Sequence, residues 1–141
     1  MGMHATRLRP GQDLREALEV FAAERGLRAA FVATGMGSLS KAELRLAGAD
    51  RSAVIGGPLE ILCLSGTLGA DGSHLHMAVS DSQGRVSGGH VCRGCTIYTT
   101  AEVVLGEVEG AAFLRRHDPE TGYPELVVAS SDASEPAAPK G

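Results

Sequence analysis

Only one stretch of this chain carries a helical period, and that limits the fold more than any other feature. Leu14, Ala17, Leu18, Phe21 and Ala22 fall at i, i+3, i+4, i+7 and i+8, one apolar face of an α-helix. Asp13 stands where an N-cap belongs, with Glu16 three residues on to close a capping box. Gly26 follows the last periodic residue and suits the left-handed conformation that ends a helix. Nearly everything downstream alternates or runs short and apolar between glycine-rich breaks, which is the pattern of strands.

Residues 29–34 form a short apolar run that enters a glycine-rich turn, Thr34-Gly35-Met36-Gly37-Ser38. Residues 42–46 alternate, which places Leu44 and Leu46 on one face. The run 59–68 predicts a strand buried on both sides, with Cys63 packed inside it. Residues 74–80 alternate again, after a hairpin loop over 69–73. Asp81-Ser82-Gln83-Gly84 reads as a turn into a strand through Val86, and 96–108 as a long strand rich in Thr and Val. Residues 111–116 suggest a helical turn and 126–128 a last short strand. The sum is an α+β domain, one main N-terminal helix against a mostly antiparallel sheet. With 141 residues the chain is one domain long. The domain is placed at 1–128, with a disordered tail over 129–141, where no large apolar residue occurs.

Thirteen Lys and Arg against seventeen Asp and Glu give a net charge of −4, and no basic stripe appears. Direct binding to DNA is disfavoured, since phosphate contacts need clustered cations. Aromatics at 4%, with no Trp, argue against a base-stacking platform for single strands. No run of about 18 apolar residues exists to cross a membrane, and the first residues lack the apolar core of a secretory leader. Three cysteines are an odd and sparse set, so the expected setting is the reducing cytoplasm.

The chemistry rests on histidines. His74 and His76 sit at i and i+2 on a strand, pointing to the same face, and Gly88-Gly89 lets the chain return so that His90 reaches that face from the neighbouring strand. A bare His-x-His is more often an exposed strand face than a ligand pair; His90 at hairpin spacing makes a metal site an even alternative. Neutral imidazoles suit Zn²⁺ or another divalent transition metal, and three of them leave a fourth position open. Cys92-Arg93-Gly94-Cys95 has the spacing of half a structural zinc site. No second pair exists and the segment lies between strands, so two small loop residues is the better reading. Glu60 and Glu102 lie within long strands, either as surface charges or as inward-facing groups able to serve as general bases.

Several segments in order carry a family likeness. They are Arg7-Leu8-Arg9-Pro10-Gly11-Gln12-Asp13-Leu14, Thr34-Gly35-Met36-Gly37-Ser38-Leu39, Gly57-Pro58-Leu59-Glu60-Ile61-Leu62-Cys63-Leu64-Ser65-Gly66-Thr67-Leu68, Asp71-Gly72-Ser73-His74-Leu75-His76, Gly84-Arg85-Val86-Ser87-Gly88-Gly89-His90 and Thr99-Thr100-Ala101-Glu102-Val103. Together they resemble the PPC (plants and prokaryotes conserved) domain, over roughly residues 3–128. The resemblance implies an α+β fold with a major antiparallel sheet, assembled as a homotrimer. It also implies a metal at the positions of His74, His76 and His90, as in some prokaryotic members. Plant members carry the domain behind AT-hook motifs and use it to associate with other nuclear factors; this chain has no Arg-Gly-Arg-Pro hook, and it looks like the stand-alone prokaryotic type, often labelled DNA-binding by analogy. The plant interaction segment Gly-Arg-Phe-Glu-Ile-Leu is here Gly57-Pro58-Leu59-Glu60-Ile61-Leu62, without its basic and aromatic members.

The leading expectation is therefore a cytoplasmic homotrimer with a three-histidine metal site per subunit, acting as a binding or regulatory module with protein partners. The rival is a zinc-dependent hydrolase or lyase with Glu60 or Glu102 as general base beside the metal. Direct DNA binding is the third reading.

Overall fold

The computed structural model describes residues 2–131. β1 (Met3–Leu8) precedes α1 (Leu14–Glu24), and six further strands of the main sheet and its neighbours follow: β2 (Ala30–Arg45), β3 (Ser52–Gly69), β4 (Gly72–Ser80), β5 (Val86–Val91), β6 (Thr96–Glu107) and β7 (Ala111–His117), closed by β8 (Pro124–Ser130). β1 to β6 form one sheet in the order β1-β6-β2-β3-β4-β5, while β7 and β8 pair separately as a hairpin. Every pairing is antiparallel. The end of β2 also pairs with β5, so β2, β3, β4 and β5 curl into a closed ring of strands.

The expected helix forms as its pattern dictates. Asp13 caps it, its Oδ1 accepting from the Glu16 backbone N–H at 2.9 Å while Oδ2 accepts from Gly94 N–H at 2.5 Å. Leu14, Leu18, Phe21 and Ala22 are the buried stripe. They enter a core shared with Leu39, Leu44, Leu75, Val79, Ile97 and Leu105, among others. Each fully buried Leu contributes about 1.5–3 kcal/mol by removal from water, which fixes the helix on one face of the sheet.

Several expectations change. The glycines at 35–37 do not make a turn: β2 runs through them for 16 residues, held by β6 on one side and β3 on the other. Neighbouring strands override the local turn signal, and the irregularity survives only as shifts of register. The run 59–68 is buried on one face only, since Leu59, Ile61 and Leu64 face the core while Leu62 and Cys63 are exposed. A register shift between Ile61 and Cys63 turns both of those outward. Residues 111–116 form β7, not a helical turn, because β8 offers them a full ladder of partners. The hairpin between β3 and β4 is tighter than expected, with Gly69 opposite Gly72. Leu46 lies just past the end of β2 and is exposed, unlike Leu44. β8 continues two residues beyond the boundary expected at Val128, and residues 132–141, where the tail was expected, lie outside the described residues.

The β7–β8 hairpin lies against the tip of the β3–β4 hairpin. The Phe113 N–H donates to Arg28 O, and Arg115 N–H donates to Asp71 at 2.9 Å. Arg115 also donates to the Thr67 hydroxyl at 2.9 Å, and Arg116 pairs with Asp71 at 2.8 Å. These bonds bring a second layer of charge beside β4.

Candidate metal centre

β4 alternates strictly: Leu75, Met77 and Val79 are buried, which leaves His74 and His76 together on the opposite face. Across the sheet His76 stands directly opposite His90 on β5, and His90 in turn stands opposite Arg45 on β2. Close approach makes that second pairing available. A Cβ at Gly89 would stand 2.6 Å from the Arg45 carbonyl oxygen, so a larger residue there would push β5 away from β2.

The three rings converge. The Nε2 atoms of His74 and His76 are 3.1 Å apart, and the ring centroids lie 4.9, 5.1 and 5.7 Å from one another. One nitrogen from each ring falls within 4.8 Å of the other two. A tetrahedral ion with metal–nitrogen bonds of about 2.0–2.1 Å holds its ligand nitrogens about 3.3 Å apart, so the His74–His76 separation already matches and His90 needs only a small ring movement. The His90 Nδ1 is buried and has no hydrogen-bond partner among the described residues. Such an orphaned lone pair or N–H costs about 1–3 kcal/mol, and a rotation that aims a lone pair at a cation removes the cost. The donor set fits a divalent transition metal.

Protonation favours the same reading. Burial, reinforced by the charge of His76, lowers the pKa of His74. Burial, with His74, Arg45 and Arg15 adding repulsion, pushes His90 down to about 4. Both rings are therefore neutral at pH 7, the form that ligates.

Neither carboxylate proposed as a general base joins the cluster. Glu60 is exposed and pairs with Ser80, four residues along β4 from His76 and so about 13 Å away at 3.3 Å per residue. Glu102 is exposed on β6, which is three strands from β4, or about 14 Å. The residues that do surround the histidines were missed. Glu125 and Arg115 come from the β7–β8 hairpin and line a cleft of about 350 Å³ with His74, His76, Ser65 and Thr67. Arg15 reaches in from α1, donating to Val91 O at 3.2 Å and Ser73 O at 3.1 Å. Nothing local marks Glu125 or Arg115, since only tertiary docking of the hairpin brings them there.

Cys92 and Cys95 behave as loop residues between β5 and β6. Cys95 is buried, donates to Glu43 O and accepts from Glu43 N–H, each at 3.3 Å. Burial pushes its thiol up to about 11, far from a reactive thiolate. Cys63, expected inside the core, is exposed on the outer face because of the bulge beside it.

Comparison with known proteins adds context to this geometry. The model of the Plants and Prokaryotes Conserved (PCC) domain matches residues 1–109. The chain is 49% identical over 138 residues to the bifunctional protein GlmU of Synechococcus, a match covering 98% of this chain and 22% of that protein. It thus spans about a fifth of the length of the curated relatives it matches. A hypothetical protein from Salmonella enterica has the same fold with a TM-score of 0.89 and 42% identity, over 92% of this chain and 94% of its own. The metal-containing protein AF0104 from Archaeoglobus fulgidus superposes with a TM-score of 0.75 at 27% identity, over 90% of this chain and 94% of its own.

Proposed function

The chain belongs to the Plants and Prokaryotes Conserved (PCC) domain family, and we propose that within it this protein is a metal-binding module that acts by association, with His74, His76 and His90 holding zinc or a similar divalent ion. The observation that carries the reading is the 3.1 Å approach of His74 Nε2 to His76 Nε2, with His90 within 4.8 Å of both. The orphaned His90 Nδ1 and the metal-containing archaeal relative support it. When bound, the ion would supply Lewis acidity at a coordination position that three protein ligands leave open. The histidines hold it, and Arg115 and Glu125 set the polarity around it.

A homotrimer is the proposed assembly. Met36, Leu62 and Tyr98 are 53%, 55% and 52% exposed, and alternation against buried neighbours places them on the sheet face opposite α1. Apolar side chains on adjacent strands of one sheet form the kind of patch that associates. Matches to a fifth of much longer proteins fit a module that is joined to other machinery. The absence of any helix long and apolar enough to cross a membrane among the described residues, together with three free cysteines, is compatible with the proposed cytoplasmic setting.

The zinc-enzyme reading is weaker because Glu60 and Glu102, the carboxylates it invoked as general bases, stand away from the three histidines, and Glu125, the carboxylate in their cleft, accepts from the Thr121 hydroxyl and is not among the clustered ligand atoms. Direct DNA binding is weaker still, given the net charge of −4. The test is metal analysis of the purified protein. One ion per chain, lost in His76→Ala, supports the site, and unchanged stoichiometry in that variant overturns it. Light scattering at low micromolar concentration should give three subunits; a persistent monomer refutes the assembly.

A further inference from the structure

We propose that the open side of the three-histidine centre is a pocket for a small anionic ligand, a carboxylate or a phosphate, and that Arg45 is the residue that selects it. This inference rests on the metal reading above. Its geometry comes from the register of three strands: His76, His90 and Arg45 lie in one row across β4, β5 and β2. Directly paired residues point to one face with their Cβ atoms about 5 Å apart. The Arg45 stem therefore starts beside His90 on the ligand face. A cleft of about 620 Å³ opens there, lined by Arg45, His74, His90, Arg15, Arg115 and Tyr123. That volume suits a small metabolite.

The arginines are not equivalent. Arg15 spends its fork on Glu19, Val91 O and Ser73 O, so it serves the helix–sheet joint. Arg115 gives one guanidinium N–H to the Thr67 hydroxyl and lines the cleft. Arg45 is half-buried and, among the described residues, has no carboxylate within ion-pair distance. The acids on the cleft do not answer it. Asp71 is matched by Arg116, Glu125 accepts from the Thr121 hydroxyl, and Asp50, exposed in the β2–β3 connection that follows Arg45, makes no ion pair with it. Three neutral imidazoles leave the charge of a divalent ion uncancelled. A cation with an open position and a half-buried guanidinium beside it present two positive partners to one ligand, and a planar fork binds carboxylate or phosphate oxygens in pairs.

The experiment uses the full chain loaded with Co²⁺, whose visible absorption reports changes in its ligands. Cobalt stoichiometry is measured first, and the loaded protein is then titrated separately with inorganic phosphate and with acetate. In the wild type one of the two anions should saturate a spectral change; tighter phosphate binding assigns a phosphoryl ligand and tighter acetate binding a carboxylate. Arg45→Met should retain cobalt while weakening the anion by about tenfold or more, the loss expected for a charge-assisted pair. Arg45→Lys keeps the charge without the fork, so it should weaken the anion by a smaller factor, and it carries the test should the Met variant not fold. Full cobalt binding with no anion response, or with equal anion affinity in wild type and both variants, overturns this inference and leaves the metal site standing. A wild type that takes up no cobalt overturns the metal reading and this inference with it.

Discussion

Gly66 and Gly84 both have positive φ, yet the structure assigns them different costs on substitution by Ala. Gly84 (φ +77°) sits in the turn between β4 and β5, where a Cβ would have nothing within 4 Å. Gly84→Ala therefore carries only the left-handed penalty of an L-residue, about 1–2 kcal/mol. Gly66 (φ +141°) lies in β3 opposite Leu75, and its Cβ would meet the His74 carbonyl oxygen and stand 2.8 Å from the Leu75 Cα. Those atoms are backbone, so relief requires β3 and β4 to separate. Strain of about 1–3 kcal/mol then adds to an overpacking cost of about 1–3 kcal/mol, for a total of about 2–6 kcal/mol. For a domain of this size the loss lowers Tm by roughly 8–24 °C. Urea and thermal unfolding of both variants, at matched protein concentration, measure the difference. Because the collision falls on the His74 peptide, Gly66→Ala should also weaken metal binding, whereas Gly84→Ala should not. If Gly66→Ala costs no more than Gly84→Ala, the claim that β3 and β4 are locked by that contact is wrong.

Three further outcomes can be checked. Hydrogen bonds from Ser73, Arg15 and Arg93 lower the pKa of Glu19 despite the opposing effect of burial, so its contribution to stability is complete above the usual carboxylate pKa and fades as pH falls through the lowered one. Glu19→Gln should cost about 1–3 kcal/mol at pH 7 and flatten the acid limb of a stability profile; an unchanged limb would exclude this role. In metal-free protein His90 should stay neutral until pH approaches about 4. Between that value and the ordinary histidine range the unfolded chain binds more protons than the native one, so stability should fall as pH drops through that window. An NMR titration showing an ordinary midpoint for His90 contradicts the burial argument. Finally, Cys95 should resist a thiol reagent until the protein unfolds, while Cys63 should react in the free subunit and be shielded on assembly through the outer sheet face. Reaction of Cys95 in the native state would refute its buried placement.

What the chain spells out locally survives into the fold. The period of Leu14 to Ala22, the cap at Asp13 and the stop at Gly26 are contacts within a few residues, and the helix forms over that span. The alternation of His74 with Leu75 and His76 with Met77 is equally local, so the shared face of the two histidines was readable in advance. The return of β5 was signalled by Gly88-Gly89. The tertiary structure decided everything that depends on which strands meet. Glycines that signal a turn became the middle of β2 because β3 and β6 hold both edges, and residues 111–116 became a strand because β8 was there to pair. Glu60 and Glu102 were separated from the histidines by register and strand order, whereas Arg45, Arg115 and Glu125 were brought to them. Side-chain periodicity is a property of neighbours along the chain and is written in it; the company a metal keeps is set by hydrogen-bond register between segments tens of residues apart, which no local pattern encodes.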